Sequence, residues 1–198
     1  LMSLHNQYPA LSDLRRAAKR RIPHFVWEYL DSATGVEATK ARNRLKLDEV
    51  LFTPSILHGE IEPDLSVDLL GRTYPMPVGV APVGMSGLIW PGAEQMLART
   101  MAAEHLPYSL STVASQLPED VGPHAGDQGW FQIYPPRDPV IRDDILKRAK
   151  DSGFHTLIMT LDVPAPSRRE RQTRGGLQQP PQLTPRLAMQ AALCPEWL

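Results

Sequence analysis

The chain has 198 residues, of which 42% are hydrophobic and 22% charged, and its net charge is -1. This balance is typical of a globular protein, and it argues against disorder and against a globally basic nucleic-acid-binding chain. The single cysteine, Cys194, excludes an internal disulfide and a cysteine-rich metal site. The sequence has no signal-peptide pattern and no apolar run near the roughly 18 residues of a membrane helix, which predicts a cytoplasmic protein.

The first 75 residues predict helices followed by irregular structure. Ser12 and Asp13 are typical N-cap residues for a helix that continues to Arg21. Pro23 opens a second helix, in which apolar side chains share one face: Phe25, Val26, Tyr29 and Leu30. A third helix with mixed charges is predicted at residues 37–50, and the chain from there to residue 75 predicts short strands in irregular structure.

From residue 76 onward, short apolar runs alternate with helical patterns. Strands are predicted at residues 76–82, 107–112, 129–134 and 155–161. Helices are predicted at residues 92–105, 118–125 (a short helix or a turn), 138–153 and 184–193. The third of these helices has the clearest signals, because Asp138 is a suitable cap, Pro139 lies in the first turn and Gly153 follows the end. This alternation indicates parallel strands covered by helices.

Two closures of such a sheet fit the pattern: an open doubly wound sheet and a (β/α)8 barrel. The turn after the first strand, APVGMSG at residues 81–87, lacks the G-x-G-x-x-G motif that would support a dinucleotide-binding sheet. A barrel needs eight strand–helix units and typically ~250 residues, so this chain has room for about half of one.

Small and polar residues gather at the predicted C-terminal ends of the strands, where barrels place their chemistry. They are Pro82, Val83, Gly84, Ser109, Ser111, Thr112, Gln132, Tyr134, Thr160 and Asp162. Such groups suit a flat polar heteroaromatic ligand better than a metal ion, and no metal site is expected. An ordinary role near loops is an equally good interpretation for any one of them. Gln132 and Tyr134 are predicted to share a strand face, and a glutamine inside an apolar run must have hydrogen-bond partners.

Seven strings, in order along nearly the whole chain, carry a resemblance to one family: WEYLDSA, ARNR, GVAPVGMSGLIWPGAE, YSLSTVAS, WFQIYPPRD, TLIMTLDVPAPSRRER and LTPRLAMQAALCPEWL. The sequence resembles the FMN-dependent α-hydroxy-acid dehydrogenases and oxidases, and it leans towards bacterial lactate or mandelate dehydrogenase-like members. The resemblance implies an α/β fold, the (β/α)8 TIM barrel, with only the N-terminal helices and the first four strand–helix units in this chain. The implied parts of this one domain are an N-terminal helical and capping segment (1–75), barrel units one to four (76–170) and the loop after the fourth strand (171–198).

The resemblance also implies a function, the FMN-dependent oxidation of a small L-2-hydroxy acid to the 2-oxo acid, and two sets of site residues. The first set would bind the flavin, along the backbone or by hydrogen bonds: Pro82, Val83, Gly84, Ser111, Gln132 and Thr160. The second set would bind the substrate: Tyr29, Tyr134 and Arg169. Family members often have threonine where Val83 stands, so only backbone contacts are expected there.

Among the substrate residues, Tyr134 would lie beside the α-oxygen as the catalytic side chain. Arg169 would hold the carboxylate, because a planar guanidinium makes two charge-assisted bonds to it. Tyr29 would assist, although simple core packing explains this residue as well. Asp162 is expected to help fix the turn after the fourth strand. The remaining arginines of the cluster are interpreted as loop-ordering or solvated charges: Arg168, Arg171 and Arg174.

The family's histidine base, second carboxylate-binding arginine and flavin-side lysine belong to later strands. None of the six histidines of this chain matches the base: His5, His24, His58, His105, His124 and His155. The expected partner is therefore the C-terminal half of the same barrel, which could be a separate chain. These residues alone are expected neither to catalyse nor to hold FMN well, and the resemblance implies a homotetramer.

Alternative functions stay open at this point. One is an FMN barrel with different chemistry, and dehydrogenase and oxidase fit the sequence equally. Another is a non-catalytic fragment that binds anions, such as nucleic acid or anionic lipid, through the arginines. Nucleic acid is not expected as a partner, because aromatic residues do not alternate with the basic ones. The segment after the fourth strand could attach to the inner face of the membrane, although burial in protein is favoured.

Overall fold

The structure, a computed structural model, describes residues 4–57, 59–161, 167–177, 182 and 184–198. The chain forms two compact units. The first unit combines both ends of the chain, Leu1–Pro54 and Ala165–Leu198, and the second is the continuous segment Ser55–Pro164. The division of the barrel domain at residues 75 and 170 stays a prediction.

Helices and strands alternate through most of the chain. The helices are α1 (Leu4–Gln7), α2 (Leu11–Arg21), α3 (His24–Asp31), α4 (Ala38–Asp48), α5 (Ser86–Ile89), α6 (Ala93–Ala103), α7 (Pro118–Ala125), α8 (Pro139–Asp151), α9 (Glu170–Gly175) and α10 (Pro185–Ala192), with a 3-10 turn at Gly126–Gln128. The strands are β1 (Val67–Leu69), β2 (Arg72–Tyr74), β3 (Tyr108–Ser111), β4 (Gly129–Ile133) and β5 (Thr156–Met159). Within the described ranges, none of the helices is long and apolar enough to span a bilayer.

The second unit is built on a parallel sheet with the strand order β3-β4-β5. Its register pairs Leu110 with Phe131 and Phe131 with Leu157, so the C-terminal ends of the strands meet at one edge. Helix α7 connects β3 to β4, and α8 connects β4 to β5. The alternation of parallel strands with helices confirms the predicted α/β class. Strands β1 and β2 form a separate antiparallel hairpin in the segment predicted as short strands.

The first predicted strand, residues 76–82, is not a regular strand, and this prediction was wrong. The segment runs beside β3 and is joined to it at Val80, whose amide donates to the Pro107 carbonyl (2.9 Å) and whose carbonyl accepts from the Ser109 amide (3.0 Å). Prolines within the segment cannot donate the backbone hydrogen bonds that a longer ladder needs. The chain therefore occupies the first-strand position with an isolated bridge.

The apolar core of the second unit is formed by the sheet and helices α6, α7 and α8. Its buried members are Ala98, Tyr108, Leu110, Val121, Ala125, Phe131, Ile133, Ala149 and Phe154. Strand β4 is central and almost completely buried. Strand β5 alternates instead, and its Leu157 and Met159 are about half exposed (48% and 53%). The outer face of β5 is thus the least covered part of this sheet.

The N-terminal helices confirm the predicted elements, with one correction at a cap. Helix α2 begins at Leu11 with Ala10 as its N-cap, so neither Ser12 nor Asp13 is the cap. Asp13 lies two residues into the helix, and its carboxylate accepts a hydrogen bond from the Ala10 amide (3.0 Å). An acidic side chain that reaches back in this way accepts a hydrogen bond from an amide that has no backbone partner at the start of the helix.

Helix α3 does not bury the single apolar face that its sequence predicts. Phe25, Val26 and Trp27 are buried, whereas Leu30 is 45% exposed and Tyr29 only partly buried. Both α9 and α10 pack against α3, so its buried surface is wider than one stripe and turns away from Leu30. The prediction was therefore wrong for Leu30.

The segment after β5 was predicted as a long loop with one helix near its end, and α10 confirms that helix. Thr184 caps α10, because its hydroxyl accepts from the Leu187 amide (3.3 Å). Helix α9 is a further helix that the sequence does not predict, since it has no apolar periodicity. It packs closely on α3 at Gly175, where an added Cβ would lie 3.1 Å from the Cβ of Glu28.

Gly122 in α7 contacts the backbone at the end of α8, and it provides a test of this packing. A Cβ at this position would lie 2.1 Å from the Ser152 carbonyl oxygen. We expect Gly122→Ala to lower the free energy of unfolding by about 1–3 kcal/mol, because overpacking forces the helices apart. Urea unfolding followed by circular dichroism measures the change. Asp120→Ala, at an exposed position of α7, is the control, and equal losses in both variants would contradict the packing.

Candidate functional site

Three polar side chains form a hydrogen-bonded row across the C-terminal edge of the parallel sheet. Ser111 ends β3, Gln132 lies one residue before the end of β4, and Thr160 directly follows β5. The Ser111 hydroxyl donates to Oε1 of Gln132 (2.8 Å). Nε2 of Gln132 donates to Oγ1 of Thr160 (2.8 Å). We call Ser111, Gln132 and Thr160 the polar row.

The register of the sheet explains why the polar row forms. Ser111 and Gln132 are direct partners across β3 and β4, and the Thr160 amide donates to the Ile133 carbonyl (3.1 Å), which continues the ladder beyond β5. Gln132 is 2% exposed, so its amide depends on these partners. A primary amide has two N–H groups and a threonine hydroxyl has one hydrogen, so the row can donate further bonds to a ligand.

The segment 82–84, predicted to face the flavin, leads into a firmly held loop. The Val83 carbonyl accepts from the Ser86 hydroxyl (3.4 Å). Met85 has a left-handed backbone with φ of 51°, and its amide donates to the carbonyl of Val113 (2.8 Å). Val113 follows β3, so the backbone of 82–84 is held near the loop that begins at the polar row.

Glu94 in α6 is a buried carboxylate that the sequence analysis missed. Its Oε1 accepts hydrogen bonds from the amides of Gly87 and Ser115, each at 2.9 Å. One oxygen therefore joins the loop after 82–84 to the loop after β3. The sequence signal was weak, because an acidic side chain in the first turn of a helix is usually explained by the helix dipole alone.

Tyr134 lies just beyond β4 and is 42% exposed, whereas Gln132 is buried. The exposure of Tyr134 follows from its place beyond the end of the strand, and the shared face of Gln132 and Tyr134 stays a prediction. The backbone of Tyr134 is nevertheless fixed, since its amide donates to Oγ1 of Thr112 (3.2 Å) and the Thr112 hydroxyl donates to the Gln132 carbonyl. The phenol is thus presented at the surface of the second unit, next to the polar row in sequence.

In the first unit, Arg169 and Tyr29 are neighbours. The guanidinium carbon of Arg169 lies 5.6 Å from the centroid of the Tyr29 ring, which is a cation–π arrangement. Its Nη2 donates to the Ser32 carbonyl (3.1 Å), and its Nη1 donates to Oε1 of Gln172 (3.3 Å). A guanidinium has five N–H donors, so these two bonds are compatible with a further paired bond to a carboxylate.

Arg171 lies among three carboxylates, and we call Arg171, Glu28, Asp31 and Glu37 the Arg171 cluster. The guanidinium bonds both oxygens of Glu28 (2.7 and 3.2 Å), both oxygens of Glu37 (2.9 and 3.2 Å) and Oδ2 of Asp31 (3.1 Å). Its hydrogen bonds to Glu28 raise the pKa of Arg171, and its bond to Glu37 lowers the pKa of that carboxyl. Burial works to raise the pKa of Asp31, but bonds from Arg15 and Arg171 outweigh it and lower that pKa.

The four neighbouring arginines therefore do not act as one basic patch. Arg168 contributes its carbonyl, which accepts from the Gly35 amide (3.0 Å), and its side chain is exposed. Arg174 is exposed and lies 3.6 Å from Glu170. The charge of Arg171 is compensated by carboxylates within the same unit, so its interpretation as a loop-ordering residue fits the structure.

The predicted site residues fall into two groups, one in each unit. The polar row, segment 82–84 and Tyr134 belong to the second unit, and Tyr29 and Arg169 belong to the first. Asp162 lies outside the described residues, so its role in a turn stays a prediction. Among the residues that the structure describes, no group of three or more His, Cys, Asp or Glu side chains could hold a metal ion.

Comparisons with known proteins define first a class and then a family. The solved structures that resemble this chain include the monotopic membrane protein (S)-mandelate dehydrogenase, with a TM-score of 0.86 and 27% identity over 94% of this chain and 50% of that one. Mandelate oxidase gives a TM-score of 0.80 and 32% identity over 91% of this chain and 51% of that one. Together with the parallel strands and helices, these likenesses define the chain as part of a (β/α)8 barrel.

The family follows from the sequence match. Residues 18–198 match the model of the FMN-dependent dehydrogenase family, and the chain belongs to this family. An L-lactate dehydrogenase of Xanthomonas campestris pv. campestris is 36% identical over 188 residues, which are 95% of this chain and 48% of that protein. One of Xanthobacter autotrophicus is 37% identical over 94% of this chain and 48% of its own length. The chain spans about half the length of the curated relatives it matches.

The family indicates FMN as the cofactor, and the polar row fits this group. The edge of a flavin ring offers oxygen and nitrogen acceptors beside one N–H, all in one plane. The row supplies an amide and two hydroxyls in a line across three adjacent strands, with the amide of Gln132 buried. Buried polar groups of this kind must be satisfied, and a planar polar ligand at the C-terminal edge of the strands can take their remaining donors.

Replacement of Gln132 by leucine tests the polar row. We expect Gln132→Leu to lower the free energy of unfolding by about 1–3 kcal/mol, because two hydroxyls lose their partner. Urea unfolding of this variant, of Ser111→Ala and of the double variant measures the coupling. The loss in the double variant should be smaller than the sum of the single losses. Additive losses would show that Ser111 and Gln132 do not interact.

Proposed function

We propose that the protein to which this chain belongs oxidises a small L-2-hydroxy acid, of the lactate or mandelate kind, to the 2-oxo acid with FMN as cofactor. The observation that carries the proposal is the polar row at the C-terminal edge of the sheet. The family match and the names of the relatives, L-lactate dehydrogenase and mandelate dehydrogenase or oxidase, support it.

We assign the flavin to the second unit. Ser111, Gln132 and Thr160 would hydrogen-bond the polar edge of the ring, and the backbone of segment 82–84 would lie along it. Bound FMN supplies a two-electron acceptor for the oxidation. Val83 supports the backbone role, because its side chain has no hydroxyl to offer to the ring.

We assign the substrate carboxylate to Arg169, with Tyr29 beside it. A guanidinium binds a carboxylate through two parallel N–H bonds, which also orients the α-carbon. We propose that the Tyr134 hydroxyl lies at the α-oxygen and donates to it as its charge changes, which is the catalytic role of this side chain. The exposure of the Tyr134 phenol and the contact of Arg169 with Tyr29 are the structural support.

We propose that the histidine base lies in the C-terminal half of the barrel. Among the described residues, His155 is not a candidate for this base, because it does not lie near the polar row. It precedes β5, at the opposite end of the strand from Thr160, and its Nε2 lies 3.1 Å from the Asp127 carbonyl. Burial and the charge of Arg72 lower its pKa.

Further proposals concern partners and location. We propose a homotetramer in which each subunit combines this chain with the C-terminal half of the barrel. We also propose a cytoplasmic protein that can attach peripherally to the inner face of the membrane. The monotopic mandelate dehydrogenase supports this, as do exposed apolar side chains near the C-terminus: Met189, Leu193 and Leu198. A monomeric native mass, or the absence of the protein from sedimented vesicles, would contradict the respective proposal.

Flavin spectroscopy tests the proposed function directly. The purified protein, with every polypeptide identified by intact mass, should show a flavin absorption band. Anaerobic addition of L-lactate, L-mandelate or glycolate should bleach it, because electrons pass from the hydroxy acid to the flavin. D-Lactate and D-mandelate are the controls. Absence of flavin when both barrel halves are present would contradict the proposal, and a flavin that no 2-hydroxy acid reduces would favour an FMN barrel of different chemistry.

Arg169→Lys tests the carboxylate ligand. A lysine keeps the charge but loses the paired bond, so we expect KM to rise and kcat to fall, with kcat/KM reduced about 10- to 100-fold. Steady-state kinetics of the FMN-loaded protein measure both constants. Arg168→Lys, one residue earlier and exposed, is the matched control and should leave them unchanged. Unchanged kinetics in Arg169→Lys would remove this residue from the proposed site.

A further inference from the structure

Helix α9 holds Arg169 at its N-terminus, but it has only six residues. A helix of this length is not stable by itself, because nucleation is costly and few backbone bonds repay it. Its position must therefore come from tertiary contacts. It contacts α3 through Gly175 and through the Arg171 cluster, in which Glu37 stands at the start of α4. Helix α10 adds two side-chain bonds, because Arg186 donates to the Arg174 carbonyl (2.9 Å) and Gln190 donates to the Gly175 carbonyl (3.5 Å).

The Arg171 cluster is better shielded and makes more hydrogen bonds than an ordinary surface ion pair. Side-chain exposures of Glu28, Asp31 and Glu37 are 11%, 13% and 23%, so the three carboxylates are mostly withdrawn from water. Exposed pairs contribute little, but shielded and bidentate ones are both stronger and geometrically specific. The planar fork of Arg171 bonds all three carboxylates at once, which a single ammonium could not do with the same geometry.

The same elements carry the proposed substrate residues. Arg169 precedes Arg171 by one intervening residue, and its carbonyl accepts from the amide and the hydroxyl of Thr173 in α9 (each 3.0 Å). On the other side, Tyr29 stands in α3 directly after the cluster residue Glu28, and Ser32 directly follows α3. The distance between the Arg169 guanidinium and the Tyr29 ring therefore depends on how α9 is fixed to α3.

We infer that Arg171 is a positioning residue for substrate recognition, which clamps α9 to α3 and so holds the Arg169 guanidinium over Tyr29. Arg171 does not itself touch the substrate, because its fork is occupied by the cluster. The inference rests on the proposed function, in which Arg169 binds the carboxylate. It gives Arg171 a role that is separate from that of Arg169, and the resemblance to the FMN-dependent family does not imply this role.

Arg171→Lys in the FMN-loaded protein tests this inference. We expect KM for the 2-hydroxy acid and the Kd of its 2-oxo acid product, pyruvate or benzoylformate, to rise about tenfold, because the ligand arginine is displaced by a fraction of an ångström to an ångström. The Kd of product is measured by its perturbation of the flavin spectrum. FMN content should equal that of the wild type. A merely structural loss would lower the active fraction, and with it kcat, while KM stayed constant.

Arg174→Gln is the matched control, since Arg174 lies in the same helix and is exposed. It should change neither KM nor product affinity. Glu37→Gln is a second, milder variant that removes one negative charge of the cluster, and it replaces Arg171→Lys if the latter does not fold. We expect it to raise KM and the product Kd about threefold, because Arg171 loses one charge-assisted bond.

The outcomes separate this inference from the proposed function. If Arg169→Lys weakens product binding but Arg171→Lys and Glu37→Gln leave it unchanged, the positioning role is overturned while the proposed function stands. If the wild-type protein neither reduces its flavin with any 2-hydroxy acid nor binds a 2-oxo acid, both are overturned. Elevated KM and product Kd in the Arg171 and Glu37 variants, with normal FMN content and an unaffected Arg174→Gln, support the inference.

Discussion

The second unit depends on the buried amide of Gln132. Burial removes this amide from water, and an unpaired donor or acceptor of this kind costs about 1–3 kcal/mol. The parallel register of β3, β4 and β5 meets the requirement, because it places the hydroxyls of Ser111 and Thr160 on either side of the amide. A slip of one residue would turn these side chains to the other face. The alignment of the strands and the arrangement of the candidate flavin site are therefore one and the same constraint.

The first unit depends on the pairing of charges, as the second unit depends on the bonds of the Gln132 amide. The Arg171 cluster places three carboxylates around one guanidinium, and Arg15 and Lys40 add positive charge beside Asp31. Charges withdrawn from water are tolerated when they are paired and hydrogen-bonded. The same pairing fixes the helix from which Arg169 projects. In the proposed site, recognition and structure are thus assigned to two arginines that one residue separates, Arg169 and Arg171.

Local signals were enough to predict much of this fold. Helix α8 followed from its cap, where Asp138 accepts from the Val140 amide (2.8 Å), and β3 to β5 followed from apolar runs of strand length. The first strand could not be predicted correctly, because its prolines prevent a ladder. Helix α9 and the pairing of Arg171 with Glu28 could not be predicted either, since the partners are 143 residues apart and no local pattern records them. Ser111, Gln132 and Thr160 were found because strand ends identify them, whereas the bonds of Glu94 arise only from tertiary folding.

The discontinuous make-up of the first unit determines the order in which a growing chain can complete its two units. Glu28, Asp31 and Glu37 are synthesised more than a hundred residues before the arginine that joins them. Until then these carboxylates repel one another, with Arg15 and Lys40 as the cations that pair with Asp31. The strands β3, β4 and β5 pair with one another, and the buried members of their core lie at residues 98–154, so all of these residues are synthesised before Arg171. During translation, the residues of this sheet are therefore available to pair before the N-terminal helices acquire their final partner.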